Sequence, residues 1–405
     1  MTDETVQTTA AVVTPQASSS LVQIAVLAAM AATGTLATNI LLPSLPTMAA
    51  ALNVSSAAIT SAITVYLAAF ALGQLGAGPI SDRFGRRWPV LAGFGVFLAG
   101  SIWCGLATDL PGLLIGRVIQ AAGACSTSVL SRAIARDLLS GPALARAMAL
   151  IMIAMAAAPG FSPLLGGALD FYFGWRAEFA FVAAFAAAGA ICYGTLLGET
   201  HRSTRIPLDP LAIALNYFSL IGDRRFLVPA ATVSLITGGL FAMFAAAPRI
   251  LIEGMHFTPI ELGLFFAGTV LIVFAAGILA TRLVTRFGLD RSIRGGLLAA
   301  AIGSVAILLV SVYIPTFFAF LAAMCVFLLG MGIVNPLGVA QALSPFGEKA
   351  GAASALVGFW QMMAAAIAVW LTAAISHDAM FGLGIVLTAA SLAAVALYAA
   401  RTKAA

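Results

Sequence analysis

The chain breaks into about twelve uninterrupted apolar runs, each long enough to cross a bilayer, and this pattern excludes most folds. The runs lie near residues 22–45, 57–79, 88–107, 112–136, 145–168, 178–197, 226–248, 261–281, 295–313, 317–343, 352–375 and 380–400. A span needs roughly 20 apolar residues. Hydrocarbon holds no water to satisfy free N–H and C=O groups, so each run is expected to be a helix rather than a strand of an open sheet. Only 9% of the residues are charged and 62% are apolar, against about a quarter charged in a soluble globular domain. That leaves too little polar surface to coat a water-facing globule. The expected fold class is an all-α membrane protein with twelve transmembrane helices.

Charge placement orients the chain. With the N-terminus inside, 17 of the 20 Lys and Arg fall on one side, Arg176 and Arg249 fall on the other, and Arg117 lies within a span. Basic loops stay cytoplasmic, so both termini are expected inside. The net charge of +5 is thereby explained by orientation, without a nucleic-acid partner. Residues 1–20 are polar and lack Lys and Arg, unlike a signal peptide. They are expected to form a disordered cytoplasmic tail. The longest later polar stretch, 198–225, reads as a cytoplasmic linker between a six-helix half at 21–197 and another at 226–400, with 401–405 as a cytoplasmic tail. The halves echo each other. Arg83-Phe84-Gly85 recurs as Arg286-Phe287-Gly288, and Pro43 near the end of the first run is matched by Pro248 near the end of the seventh. Such echoes fit a duplicated transporter with parallel halves.

The most distinctive short motif is Gly78-Pro-Ile-Ser-Asp82-Arg83-Phe-Gly85-Arg86-Arg87. It joins two spans and resembles the loop between the second and third helices of the major facilitator superfamily. Further stretches resemble the drug/proton antiporters of the Bcr/CflA type. They include Arg117-Val118-Ile119-Gln120-Ala121-Ala122-Gly123, Ser131 to Asp137, Trp175-Arg176 with Phe179, Ala247-Pro248-Arg249, and Pro345 to Gly351. The antiporter motif of the fifth helix is partial: Pro159, Pro163, Gly166 and Gly167 fit, while Ser162 stands where Gly is usual. The resemblance covers roughly residues 22–400. It implies the two-half major facilitator fold and proton-coupled export of small amphiphilic or drug-like compounds from the inner membrane of a bacterium by a monomer, with no cofactor. One departure bears on mechanism. The first helix often carries an Asp four residues before Pro, and here that position is Asn39, which cannot exchange a proton near neutral pH.

Each candidate residue has a plainer role to weigh. Asp82 and its arginines could be a solvated turn, or a latch between helix bundles whose charge-assisted bonds form in one conformation and break in another. Gly78 and Gly85 are expected to permit close approach and a tight turn. Arg117 could snorkel to the interface, or act inside the membrane with Gln120 one turn further on, steering polar substrate groups or tuning a carboxylate. The prolines and glycines of the fifth span kink and pack a helix; they could also let the halves rock. Tyr66, Phe70 and Gln74 share one face of the second span. With Phe241, Phe244, Asn335, Phe359, Trp360 and Gln361 they are candidates to line an apolar cavity containing a few polar groups. Aromatics at helical spacing are also common core residues.

Cys104, Cys125, Cys192 and Cys325 fall in apolar runs without ligand spacing, and His201, His256 and His377 form no cluster, so no metal is expected. No phosphate loop or catalytic motif points to ATP drive or to an enzyme. If protons are used, Asp137 or Glu178 at span ends, or the substrate itself, are the carriers to consider. Asn39 favours a second reading: a metabolite importer or facilitator lacking the usual proton site. A membrane sensor or membrane enzyme would need a sensory domain or a catalytic cluster, and neither is visible.

Overall fold

A computed structural model describes residues 21–200 and 209–403. The tail assigned to 1–20, the linker residues Arg202 and Arg205, and the last two residues lie outside the described residues. Twelve helices among the described residues are long and apolar enough to cross a membrane. The first six are Leu21–Ala51, Ser56–Phe84, Arg87–Leu106, Leu110–Leu138, Gly141–Phe173 and Arg176–Leu196. The second six are Arg224–Glu253, Pro259–Phe287, Leu289–Tyr313, Phe317–Leu343, Ala350–Ile375 and Ala379–Ala400. They are numbered in this order as the first to the twelfth span. No strand occurs among the described residues.

Local chemistry sets several ends. Asp109 accepts from the Gly112 amide at 2.8 Å, and Thr258 with Glu261 forms a reciprocal capping box; each satisfies orphan donors at a helix start. Proline positions matter in two different ways. Pro159 and Pro163 sit inside one continuous helix, Gly141–Phe173. Pro43 instead ends the first helix in a 3₁₀ turn, Leu42–Ser44, before a short helix Leu45–Ala51. Pro248 begins a π-helical segment, Pro248–Glu253, at the end of the seventh span.

The duplication seen in the sequence has a structural counterpart. Gly85 and Gly288 both take a positive φ, 87° and 80°, as the residue after a helix. A side chain is strained there. A Cβ on Gly100 would lie 2.7 Å from the Gln120 Cα, and a Cβ on Gly303 would lie 2.7 Å from the Phe327 Cα. The third and fourth spans therefore touch backbone to backbone, as do the ninth and tenth, with glycine making both contacts possible. Outward faces carry bare apolar residues: Ile102, Leu271 and Ile302 are 51%, 66% and 65% exposed. Such surface suits lipid rather than water.

Two expectations are revised. The connection is shorter than the run ends at 79 and 88 suggested: helix continues to Phe84 and resumes at Arg87, leaving Gly85 and Arg86 between them. A Cβ added at Gly78 would meet nothing within 4 Å, so close approach does not explain this glycine. The linker also contains a helix, Pro210–Ile221, whose start Asp209 caps at the Leu211 and Ala212 amides. Tyr217 of this helix donates to the Leu75 carbonyl at 2.9 Å.

Candidate substrate cavity and buried polar cluster

A cavity of about 430 Å³ lies between the halves. Tyr66, Phe70 and Gln74 of the second span line it from one side; Phe241, Asn335 and Gln361 of the seventh, tenth and eleventh spans line it from the other. Gln361 donates to the Asn335 side-chain oxygen at 3.2 Å and to the Thr237 hydroxyl at 3.3 Å. Three candidates lie elsewhere. Phe244 is 3% exposed and packs edge-on against Phe266. Phe359 and Trp360 pack against the cluster around Phe226 and Leu356. Their helical spacing reflects packing, and the cavity faces the neighbouring Gly358 and Gln361 instead.

The sequence reading missed part of the wall. Arg132 and Arg136 of the fourth span line the cavity, as do Met148, Met152 and Met155 of the fifth. The methionines recur at i, i+4, i+7, the spacing of one helix face, so periodicity could have found them. A second cavity of about 340 Å³ shares Gln74, Arg132 and Arg136 with the first and reaches Asp82 and Arg86. The central space thus leads toward the end of the bundle that carries the 78–87 motif.

The opposite end is closed by backbone contact between halves. A Cβ on Gly263 of the eighth span would lie 2.7 Å from the Leu164 Cα of the fifth, and one on Gly167 would lie 2.9 Å from the Pro259 carbonyl oxygen. Gly166 faces the Ile40 carbonyl. Gly167 thus packs the seam directly, while Gly166 packs the fifth span against the first. Pro159 and Pro163 lie in the same helix without interrupting it.

Arg117 is wholly buried and does not line the cavity, so it is neither an interfacial anchor nor a wall residue. Its Nε donates to the Ala62 carbonyl at 3.2 Å and its Nη1 to the Ala37 carbonyl at 3.1 Å and to Gln120. Gln120 in turn donates to Ser101 at 2.8 Å. The guanidinium carbon lies 4.0 Å from the Tyr66 ring centre, a cation–π contact. Arg117 therefore pins the first, second and third spans to the fourth from beneath the cavity wall.

Glu178 sits in the first turn of the sixth span yet is wholly buried. The turn and short helix that end the first span fold back over it, and Ser44 donates to its Oε1. Its Oε2 has no hydrogen-bond partner; the same holds for Arg117 Nη2 and Asn39 Oδ1. Asn39 uses its amide to donate to the Thr35 carbonyl at 2.7 Å. Asp170 of the fifth span, which accepts from Thr47 at 2.8 Å, also acts on Glu178.

At the motif end, Arg86 bonds Asp82 at 2.7 Å and Asp137 at 2.8 Å, and contacts Ser81. Burial alone would lower the Arg86 guanidinium, but Asp137 and Asp82 outweigh it and hold the group above its ordinary value. Glu199 accepts from the Arg86 and Arg87 amides at 2.9 and 3.3 Å. Arg83 and Arg87 are exposed. Asp82, Asp137 and Ser81 belong to the first half, and Glu199 to the linker that follows it. In this arrangement these bonds tie the second, third and fourth spans together.

Two six-helix bundles with matching internal contacts, enclosing one mostly apolar cavity, define a membrane transporter. The family model described as Major Facilitator Superfamily matches residues 27–369, and the chain belongs to that family. It is 31% identical over 348 residues to multidrug resistance protein MdtL of Citrobacter koseri, covering 83% of this chain and 84% of that one. It is 28% identical over 342 residues to a bicyclomycin resistance protein homolog of Haemophilus influenzae, covering 83% and 85%. The solved structure of a D-xylose-proton symporter matches with a TM-score of 0.71 over 92% of this chain and 96% of that chain, at 17% identity, which speaks to fold alone. The protein is thus a multi-pass transporter of small molecules rather than an enzyme, and it resembles Bcr/CflA-type transporters as its motifs indicated.

Proposed function

We propose that this protein exports small amphiphilic compounds across the bacterial inner membrane in exchange for protons, as a monomer with both termini cytoplasmic. The observation that carries the reading is the cavity between the halves, apolar over most of its wall with isolated polar groups from both sides, a lining suited to drug-sized ligands. The drug-resistance names of the relatives and the basic bias of one set of loops support it. Asp82, Arg86 and Asp137 form the gating cluster, stabilising one arrangement of the first bundle. Arg117 positions the helices that carry Tyr66.

Glu178 is the residue to which we assign proton exchange. Asn39 cannot titrate, and Asp137 is engaged by Arg86. An ionised carboxylate with an unpartnered oxygen in a dry interior costs free energy, and protonation relieves it. Ser44 bonds it, Asp170 and Arg117 act on it through charge, and Tyr66 and Cys104 act likewise on Arg117. Asn39 also favours a second reading, a facilitator without coupling. A substrate panel in an efflux-deficient host, followed by uptake into everted vesicles, separates the two. Export predicts raised resistance and uptake abolished by a protonophore. Protonophore-insensitive equilibration would leave the facilitator.

A further inference from the structure

We infer that the substrate of this cavity carries an acidic group, a carboxylate, sulfonate or phosphate, on an apolar body, and that Arg132 and Arg136 bind it. The inference rests on the transport reading above and names the substrate class of that same site. Both arginines line the cavity, and no acidic residue lines it among the described residues. The neighbouring acids are committed elsewhere: Asp137 and Asp82 are both bonded to Arg86. Neither Arg132 nor Arg136 makes an ion pair among the described residues, and the half-buried Arg132 donates to the sulfur of Met155 at 3.4 Å.

Two like charges four residues apart on one helix face repel each other. Arg132 is half-buried and Arg136 exposed, so at Arg132 that repulsion adds to incomplete hydration and raises the free energy of the empty site. An anion between the guanidiniums offsets both effects. The planar fork of Arg fits the oxygens of a carboxylate, sulfonate or phosphate two at a time. The rest of the wall fits the remainder of such a molecule. Phe70 and Phe241 contribute aromatic surface, and Met148, Met152 and Met155 a deformable apolar strip. Asn335 and Gln361, already bonded to each other, supply neutral polar atoms but no charge. A lipophilic cation would meet two positive groups here and no counter-charge.

The test uses the full chain in nanodiscs of zwitterionic lipid and three fluorescent naphthalene probes of matched size: dansylate (anionic), dansyl amide (neutral) and dansyl ethylenediamine (cationic). Binding is read after subtraction of empty nanodiscs. The expected order is anion, then neutral, then cation, with dansylate at least about tenfold tighter than the cation, since each charge-assisted bond adds a net gain of this order. Arg132→Gln should weaken dansylate by about tenfold and leave dansyl amide unchanged, and Arg132→Lys should recover part of the loss. Arg136→Gln should act in the same direction. A cation bound as tightly as the anion in the unmodified protein, or dansylate affinity unchanged in both Gln variants, would overturn the assignment. Adding phosphatidylglycerol to the nanodiscs separates a soluble acid from a lipid headgroup: displacement of dansylate would assign the arginines to lipid and overturn the soluble substrate, whereas no displacement supports it. Binding is independent of proton drive, so anion preference without pH-driven flux sinks the export reading alone. Proton-driven export of cations and neutral drugs with no anion preference sinks this one alone.

Discussion

Gly263→Ala isolates the closed seam between the halves. The added methyl would lie 2.7 Å from the Leu164 Cα and 3.1 Å from its Cβ. Carbon atoms settle about 3.5–4.0 Å apart, so the fifth and eighth spans must separate by about 1 Å. The clash is with backbone, which no rotamer change relieves. Overpacking of this kind costs about 1–3 kcal/mol. The cost falls on the arrangement in which this end is closed and is absent when the spans part, so the equilibrium should move toward the open end by about 5- to 150-fold. Gly268→Ala on the same helix is the control, because nothing lies within 4 Å of its Cβ. Pulsed electron–electron spin resonance reads the effect, with labels at Tyr172→Cys and Ile314→Cys in a background lacking the native cysteines. Both sites are exposed, at 69% and 58%, and belong to opposite halves. Gly263→Ala should enrich the long-distance population, and Gly268→Ala should not. Identical distance distributions in the two variants would refute the reading that this seam holds one end of the cavity closed.

Asp82→Asn should slow transport per molecule only up to about fivefold, because the Asp82 carboxylate is partly exposed and its ion pair is screened. Asp137→Asn, at 21% side-chain exposure against 42% for Asp82, should cost more; flux normalised to membrane abundance checks the order, and the reverse order would sink the gating cluster as described. Arg117→Ala removes three hydrogen bonds and a large buried side chain, a loss of about 2–5 kcal/mol. It should lower the melting temperature of the purified protein and abolish transport, with Arg117→Lys intermediate on both; unaltered stability in Arg117→Ala would contradict the pinning role. Alkaline phosphatase fused after residue 210 should be inactive, and fused near residue 172 active; the opposite pattern rejects the orientation.

What could be read from the chain follows from which constraints are local. Each span declares itself because hydrocarbon thickness and backbone satisfaction act on about twenty consecutive residues at a time. The echo of Arg83-Phe84-Gly85 in Arg286-Phe287-Gly288 was legible because a positive φ demands glycine at both places. The helix Pro210–Ile221 was not, since the charged residues on either side of it gave the whole stretch a polar average. Burial of Glu178 was also illegible. Its position is the first turn of a span, and the bond from Ser44 of the folded-back Leu42–Ser44 turn joins residues 134 apart in sequence. Arg132 and Arg136 looked like ordinary basic residues at a helix end. Their role depends on which way the fourth span is rotated against the other half, a tertiary fact that no local pattern encodes. Tyr66, Phe70 and Gln74 were placed on one helix face by spacing, and that face is the one the cavity uses.

The most direct measurement compares the unmodified protein with Glu178→Gln in proteoliposomes, following substrate accumulation under an imposed pH gradient and, separately, substrate exchange at equal pH. The amide keeps the shape of the buried group and cannot release a proton. Unmodified protein should accumulate substrate against its gradient when protons flow the other way. Glu178→Gln should retain exchange but lose the uphill accumulation and its dependence on pH. Gradient-driven accumulation undiminished in Glu178→Gln would contradict proton exchange at this carboxyl.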